Sequence, residues 1–287
     1  MFRSHPSPPQ RYSHMARRAA SEVIDSYSTS FGTATRLLPE PQRTDIRNLY
    51  AVVRIADEIV DGAAPASERA ATLEDYEQRV LGAAAAAFHT DPILHAFAET
   101  ARRCNFDDAH LAAFFASMLH DISGAVHTEA SVEEYIYGSA EVIGLLCVDV
   151  FFGGRRPPQA EYDLLQEGAR ALGAAFQKVN FLRDYADDTT RLARNYFPQT
   201  PHPLSVAGRD AIIADIRRDF DAAWAAIPAL PKRCGVAVAA ATNLFEALTG
   251  LLADTPPATI RTTRVRVSAP RKAAIIARTV VTGRRLQ

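Results

Sequence analysis

Apolar residues recur every three or four positions along almost the whole chain, the spacing that one face of an α-helix produces. This periodicity predicts helices near residues 13–28, 40–62, 67–88, 91–103, 107–124, 131–152, 160–191, 208–227, 232–253 and 269–283. Proline and glycine clusters separate them. Apolar and polar residues rarely alternate at a period of two, so no strand is predicted, and residues 262–268 are interpreted as a loop. The pattern therefore indicates an all-α fold.

The two ends and the interior of the chain define its domain organisation. Residues 1–12 are rich in Pro and Ser, and we predict a disordered tail there. Residues 13–283 then form a single domain. Several helical stretches, such as 139–151 and 173–176, carry small and apolar residues on all sides. Such helices either pack as an ordinary core or line a long apolar cavity.

Composition excludes several classes of protein. Among 287 residues, 32 basic side chains nearly balance 33 acidic ones, so nucleic-acid binding is not expected. No apolar run reaches the length that we expect of a membrane span. The three cysteines, Cys104, Cys147 and Cys234, have neither zinc-site spacing nor a disulfide pattern. They are interpreted as small buried residues, which favours a reducing cytoplasm.

Two of the predicted helices carry a stripe of polar residues in apolar surroundings. The first stripe comprises Tyr50, Arg54, Asp57 and Asp61, and the second comprises Gln177, Asn180, Asp184 and Asp188. At about 100° per residue, the members of each stripe fall within sectors of about 60° and about 80°. Each helix therefore aims two carboxylates along one line. A single Asp-x-x-x-Asp pair is often a solvated helix face, but two matched stripes in apolar helices favour one shared site.

Buried carboxylates must be paired or must hold a metal. Hard cations prefer oxygen ligands, and Mg²⁺ is commonly held by one or two carboxylates together with substrate phosphates. Zinc is disfavoured because both stripes lack Cys and His. Arg54 and Arg183 fit the same interpretation, since a guanidinium binds phosphate oxygens as a planar fork. The stripes thus predict Mg²⁺ ions, with Mn²⁺ as the alternative, between the protein and a polyphosphate.

At these residues the chain resembles the squalene/phytoene synthase family of head-to-head prenyl transferases. Residues 50–62 resemble the first aspartate motif of the family, residues 177–188 its second, and residues 194–198 the segment that follows. Residues 27–31 resemble its substrate flap, residues 135–144 its tyrosine-rich central helix, and residues 264–272 its closing basic segment. The resemblance covers residues 20–275 in the family's order. It implies a single-domain helical bundle of the isoprenoid synthase type with a central apolar cavity.

The resemblance also implies residue roles. Metal ligands are expected at Asp57, Asp61, Asn180, Asp184 and Asp188. Contacts to the diphosphate or to the nearby substrate are expected at Tyr27, Ser28, Ser30, Phe31, Tyr50, Arg54, Tyr135, Gln177 and Arg183. Catalysis is expected to rest on Tyr50, Arg54 and the four aspartates. For the aromatic residues Phe31 and Tyr135, contact with a carbocation and core packing both remain open.

The activity implied is the joining of two geranylgeranyl diphosphates, through prephytoene diphosphate, to phytoene, a step of carotenoid biosynthesis. The alternative is a squalene or dehydrosqualene synthase acting on two farnesyl diphosphates, and a non-catalytic family-derived subunit is less favoured. No dinucleotide fingerprint is found, so NADPH is not expected. Two departures from the family pattern are Glu141, a charge in the central helix, and Phe245, where many relatives have tyrosine.

The last 27 residues are strongly basic and contain no acidic residue. The basic residues are Arg261, Arg264, Arg266, Arg271, Lys272, Arg278, Arg284 and Arg285. They form either a solvated tail or a surface that attracts anionic lipid. We therefore predict a cytoplasmic protein with peripheral contact at the cytoplasmic membrane face.

Overall fold

The computed structural model describes residues 6–28, 30–124, 128–190, 194–200 and 203–286, without the side chains of Ser30 and Thr190. The described residues contain helices and no strand, which confirms the all-α prediction. The helices are α1 (Pro8–Tyr27), α2 (Ser30–Thr35), α3 (Gln42–Val60), α4 (Arg69–Leu81), α5 (Pro92–Cys104), α6 (Asp108–Ser123), α7 (Glu129–Ile136), α8 (Val142–Phe152), α9 (Gln159–Thr190), α10 (Val206–Ala226), α11 (Lys232–Asp254), α12 (Pro257–Ile260) and α13 (Ala269–Thr282). A π-helical turn, Tyr137–Glu141, joins α7 to α8.

The first helix begins earlier than the sequence predicted. Residues 8–12 are helical, so the prediction of a disordered tail over 1–12 is wrong for that part, and residues 1–5 lie outside the described residues. Pro8 occupies the first turn, where a missing N–H costs nothing. Ser7 and Gln10 form a reciprocal capping box, in which each side chain accepts a hydrogen bond from the other's backbone N–H.

Two further differences concern short elements. The predicted helix 67–88 ends at Leu81, because Gly82 caps it and a 3₁₀ turn, Ala83–Ala85, follows. Arg102 holds that turn by donating to the carbonyls of Ala84 and Ala86. Helix α2 was not predicted, since six residues are too few to show a period. The segment 262–268 is a loop, as predicted.

The helices enclose two large apolar clusters. One is built from α1, α3, α4, α5, α6 and the start of α8, with Phe97, Phe114 and Phe115 fully buried in it. The other is built from α7, α9, α10 and the end of α11, around Phe220 and Leu182. The long helix α9 packs along α10 and also contacts α8. Burial of this much apolar surface is the main force that holds the bundle together.

Helices α8 and α9 approach each other closely at two glycines. A Cβ atom at Gly144 would lie 2.4 Å from the carbonyl oxygen of Ala169, and one at Gly173 would lie 2.5 Å from that of Ala140. Neither position can therefore carry a side chain without moving backbone. This close contact fixes the π-helical turn against α9 and sets the width of the space between α8, α9 and α11.

That space is an apolar cavity of about 740 Å³. Its walls come from α3, α8, α9 and α11, and small residues such as Ala140, Gly168, Ala169 and Ala241 keep it open. Of the two alternatives for the small, apolar helices, the structure therefore supports the one in which they line a cavity. The central apolar cavity belongs to the fold that the sequence predicted.

Two helical stretches, Glu129–Phe152 and Lys232–Asp254, are long and apolar enough to cross a membrane by length and composition alone. This corrects the expectation that no segment has that length. About half of each apolar window is buried inside the protein, and both stretches contribute to the cavity wall. Their apolar character is thus accounted for by the interior that they line.

Candidate active site

The two polar stripes reach the same cavity from different walls. Tyr50 and Arg54 project from α3, and Asn180 and Arg183 project from α9. These four side chains lie at one end of the apolar cavity, where Arg264, Arg266 and Lys272 also line it. Leu165 lies about 22 Å from Asn180 along α9, and most of the other residues that line the cavity are apolar or small. The cavity therefore has a cationic end and a long apolar end.

A second cavity of about 420 Å³ is lined by three of the four stripe aspartates, whereas Asp57 lines neither cavity. Asp61, at the end of α3, shares it with Asp184 and Asp188 of α9. Arg183 and Arg264 line both cavities, so the acidic space and the apolar space adjoin. Segments more than 120 positions apart in the sequence thus contribute carboxylates to one place, as the matched stripes suggested.

Arginines bind two of these carboxylates. The Arg183 Nε atom donates to Asp184 at 3.0 Å, and the Arg264 Nε atom lies 2.7 Å from the same carboxylate. Arg194 binds Asp61 with both terminal nitrogens, at 3.0 and 3.1 Å. Contact with Asp61 and Asp121 raises the pKa of Arg194 despite its burial. Arg194 therefore stays charged beside Asp61.

Two other carboxylates, those of Asp57 and Asp188, have a raised pKa. Burial, reinforced by the nearby charges of Asp61 and Asp121, raises the pKa of Asp57 to about 7, although Arg54 opposes the shift. The Asp57 side chain lies 3.7 Å from the Arg54 guanidinium and keeps 40% of its surface accessible. Burial and the neighbouring Asp184 raise the pKa of Asp188 to about 7 as well. Both positions favour a cation.

The donor set fits a hard divalent cation, because it consists of carboxylate and amide oxygens. In the arrangement described, however, no three Asp, Glu, His or Cys side chains of the described residues converge closely enough to hold an ion. Of the predicted ligands, Asp61, Asp184 and Asp188 share the second cavity, and arginines pair with the first two. The metal-ligand role of the predicted set stays a prediction.

The predicted flap lies over the cationic end. The Arg54 guanidinium lies 4.2 Å from the centre of the Tyr27 ring, at a cation–π distance. Arg54 also contacts Glu58 one turn further along α3. Phe31 stacks on Tyr50 with ring centres 5.7 Å apart, and Ser28 is hydrogen-bonded to the Tyr50 hydroxyl. The side chain of Ser30, predicted to contact diphosphate, lies outside the described residues.

Tyr135 and Gln177 do not line either cavity. The Tyr135 ring is buried against Phe181 and Tyr196, and its hydroxyl donates to Asp121 at 2.6 Å. The structure therefore places Tyr135 in the core, the alternative that the sequence had left open. Ser139 and Ala140, which belong to the π-helical turn that follows α7, line the apolar cavity instead.

Asp121 belongs to neither stripe, and its contacts were not predicted from the sequence. Its buried carboxylate accepts hydrogen bonds from Tyr135 and from Tyr196, the latter at 3.2 Å. The Arg194 Nε atom lies 3.7 Å from the same carboxylate, and Arg194 also donates to the Asp121 carbonyl. Asp121 thus positions Arg194, which in turn binds Asp61. The signal in the sequence was an acidic residue near the end of a strongly apolar helix.

The two departures from the family pattern have simple surroundings. Phe245 stacks on Phe176 with ring centres 3.9 Å apart, and both rings line the apolar cavity. Glu141, in the π-helical turn, accepts a hydrogen bond from the Arg170 Nε atom at 2.6 Å. The first departure makes the cavity wall more apolar, and the second places a charge in an ion pair.

The chain is similar in sequence to known proteins. The family described as squalene/phytoene synthase matches residues 24–202. A 15-cis-phytoene synthase from a Paracoccus strain is 31% identical over 252 residues, which is 80% of this chain and 79% of the relative. A presqualene diphosphate synthase from Rhodopseudomonas palustris is 26% identical, over 88% of this chain and 84% of the relative.

Solved structures show the same fold. A dehydrosqualene synthase in complex with ligand superposes with a TM-score of 0.80 at 19% identity, covering 96% of this chain and 98% of that one. A squalene synthase from Alicyclobacillus acidocaldarius superposes with a TM-score of 0.71 at 20% identity, covering 88% and 98%. The helical bundle is therefore that of the isoprenoid synthases.

Proposed function

The chain belongs to the squalene/phytoene synthase family of prenyl transferases, which join prenyl diphosphates head to head, and we propose that its substrate is geranylgeranyl diphosphate. Two molecules would combine through prephytoene diphosphate to give phytoene, with release of diphosphate. The proposal rests on the length of the apolar cavity.

The cavity length can be estimated along helix α9. This helix lines the cavity from Leu165 at the apolar end to Asn180 near the acidic stripe, and these positions are separated by about 22 Å of helix. An extended chain of single bonds advances about 3.5 Å for every three bonds. By that measure the main chain of a geranylgeranyl group spans about 18 Å and that of a farnesyl group about 13 Å. The longer group would end beside Gly168, and the shorter one beside Leu172.

The cationic end suits the diphosphate groups. Arg54, Arg183, Arg264, Arg266 and Lys272 all line it, and guanidinium groups bind phosphate oxygens in a bidentate manner. Divalent cations would be held by Asp57, Asp61, Asn180, Asp184 and Asp188. Once bound, such ions would neutralise the leaving diphosphate and so favour cleavage of the allylic C–O bond. The family generally depends on divalent metal.

The apolar walls that adjoin the cationic end suit the carbocations, because these form at the carbons that carried the diphosphate. When diphosphate leaves, the electron pair of the C–O bond goes with it, and the double bond of the second prenyl chain forms the new C–C bond. Loss of a proton closes the cyclopropane ring of prephytoene diphosphate. A second departure of diphosphate, rearrangement and a second proton loss give phytoene. Walls such as Leu172, Phe176, Leu244 and Phe245 would keep water from the cations.

Two farnesyl diphosphates remain the second candidate. The relatives include the presqualene diphosphate synthase and a 4,4'-diapophytoene synthase from Staphylococcus haemolyticus at 29% identity. The purified chain should be incubated with Mg²⁺ and either farnesyl or geranylgeranyl diphosphate, with and without NADPH. We expect a C40 hydrocarbon that does not require NADPH. A C30 product alone would contradict the chain-length assignment, and no hydrocarbon would favour a non-catalytic subunit.

A variant tests the cavity argument directly. Ala169 lines the far part of the cavity, so Ala169→Leu should shorten it and raise the preference for farnesyl over geranylgeranyl diphosphate by about tenfold, the effect of one to two methylene groups in an apolar pocket. Ala160→Leu, the same change at an exposed position of α9, is the matched control and should leave the ratio unchanged. If the ratio of kcat/KM for farnesyl diphosphate to that for geranylgeranyl diphosphate were the same in both variants, the cavity length would not determine the choice of substrate.

A further inference from the structure

The outer face of α13 is an exposed apolar strip. Pro270, Ala273, Ala274, Ala277, Val280 and Val281 are all exposed and fall within about 120° of the helix circumference. Val281 retains 86% of its accessible surface and Val280 retains 48%. Contiguous exposed apolar residues that are rimmed by polar ones mark interaction sites on protein surfaces. We refer to these six residues as the α13 strip.

Basic residues border the α13 strip on one side. Arg271 and Arg278 are seven positions apart and both are exposed, so their guanidinium groups follow one edge of the helix. Arg284, just after the helix, is exposed too. No acidic residue follows Asp254 in the sequence. An apolar strip with a purely cationic border complements a surface that is apolar inside and anionic outside.

The orientation of α13 is fixed by its inner side. Thr279 is fully buried and accepts a hydrogen bond from Asn243 of α11 at 3.0 Å. Arg285 binds Glu246 and Asp221, which anchors the end of the chain to α11 and α10. Lys272, also on the inner side, lines the apolar cavity. The strip therefore cannot turn inward, and the helix that bears it separates the cavity from the outside.

We propose that the α13 strip docks on an anionic lipid surface, with the valines inserted among the acyl chains and Arg271, Arg278 and Arg284 at the phosphate level. A helix in this arrangement lies in the interface plane and gains from both apolar burial and charge attraction. The α13 strip would thereby hold the cavity against the membrane. Docking does not depend on which prenyl diphosphate the enzyme uses.

Vesicle co-sedimentation of the full chain tests the docking. Binding is expected to vesicles of phosphatidylcholine with phosphatidylglycerol, to weaken as salt is raised, and to be lost with phosphatidylcholine alone. The double variant Arg271→Gln/Arg278→Gln should lower the partition coefficient about 25-fold, since each basic residue near an anionic surface contributes about fivefold, or about 1 kcal/mol. Val281→Asp should lower it by about tenfold or more.

The control is a pair of arginines on α1 with the same spacing as Arg271 and Arg278. Arg11 and Arg18 are also seven positions apart and exposed, on α1, so Arg11→Gln/Arg18→Gln removes the same charge without touching α13. The proposal is overturned if this control weakens binding as much as the α13 double variant does. It is also overturned if binding does not change with salt concentration and lipid charge. A third contrary result is a chain that does not bind vesicles and instead forms a dimer, which Val281→Asp dissociates. Circular dichroism establishes that each variant remains folded.

Discussion

Replacing Asp121 by asparagine should show how strongly the fold depends on the acidic site. The Asp121 side chain is only 5% exposed and receives two tyrosine hydroxyl hydrogen bonds. It also compensates Arg194, whose side chain is 13% exposed. Asparagine keeps the size and one acceptor oxygen, but it removes the charge and presents an amide N–H₂ where a hydroxyl now donates. The change therefore tests the interactions without creating a cavity.

The size of the effect follows from these contacts. Removing one partner of a buried ion pair costs about 3–5 kcal/mol, because the other charge stays buried. Arg194 retains its contact with Asp61, and burial raises the pKa of Asp121, so keeping its charge inside already has a cost. Both facts favour the lower end, about 3 kcal/mol. With an unfolding entropy of about 2.1 cal/mol/K per residue, that corresponds to a Tm about 5 °C lower.

Thermal unfolding followed by circular dichroism and calorimetry measures the change. The matched control is Asp163→Asn on α9, where an exposed carboxylate accepts a hydrogen bond from Gln159. This control should stay within about 0.5 kcal/mol of the parent. A Tm of Asp121→Asn within about 1 °C of the parent would refute the view that Asp121 holds this part of the structure together.

Three other changes probe packing, protonation and charge exchange. Gly173→Ala should cost about 1–3 kcal/mol, because the new methyl group would clash with the backbone of the π-helical turn. Gly250→Ala, in open space on α11, should stabilise by about 0.5–1 kcal/mol, and urea unfolding measures both. The pKa of Asp57 and of Asp188 is raised to about 7, so calorimetry should show Mg²⁺ affinity rising as the pH increases from about 6 to about 8. The metal-free protein should lose stability as the pH rises from about 4 to 7, because both carboxyls bind protons more tightly in the folded state. Arg264→Gln should strengthen Mg²⁺ binding in the absence of pyrophosphate and weaken it in its presence, which the same calorimetric titrations compare.

Helical periodicity predicted the long elements well and the short ones poorly. The α9 pattern extends over many turns, and the observed helix begins one residue before the predicted start. By contrast, α2 has six residues and relies on contact with α11, which no local pattern records. The start of α1 was missed because its Pro and Ser content suggested a disordered tail, although proline is favoured in a first turn. Tertiary contact and capping decide such cases.

The site could be predicted only as far as helix geometry extends. Angular position alone placed Tyr50 and Arg54 on one wall and Asn180 on another. The partners across the site could not be predicted in this way, because Arg264 meets Asp184 from 80 positions away through a loop without a period. Tyr135 shows the opposite limit. The motif around Tyr135 suggested a substrate contact, but its hydroxyl donates a hydrogen bond to the buried Asp121 carboxylate.

The pairing of arginine with carboxylate explains how such a charged site can exist inside an apolar bundle. Arg183 and Arg264 neutralise Asp184, and Arg194 neutralises Asp61, so neither carboxylate is left as an isolated buried charge. Arg183 and Arg264 also line the apolar cavity. A diphosphate group entering that cavity would compete for their guanidinium groups and release Asp184 to a divalent cation. Because each ligand would remove the partner that blocks the other, diphosphate and metal should strengthen each other's binding, a coupling that is reciprocal by thermodynamic linkage.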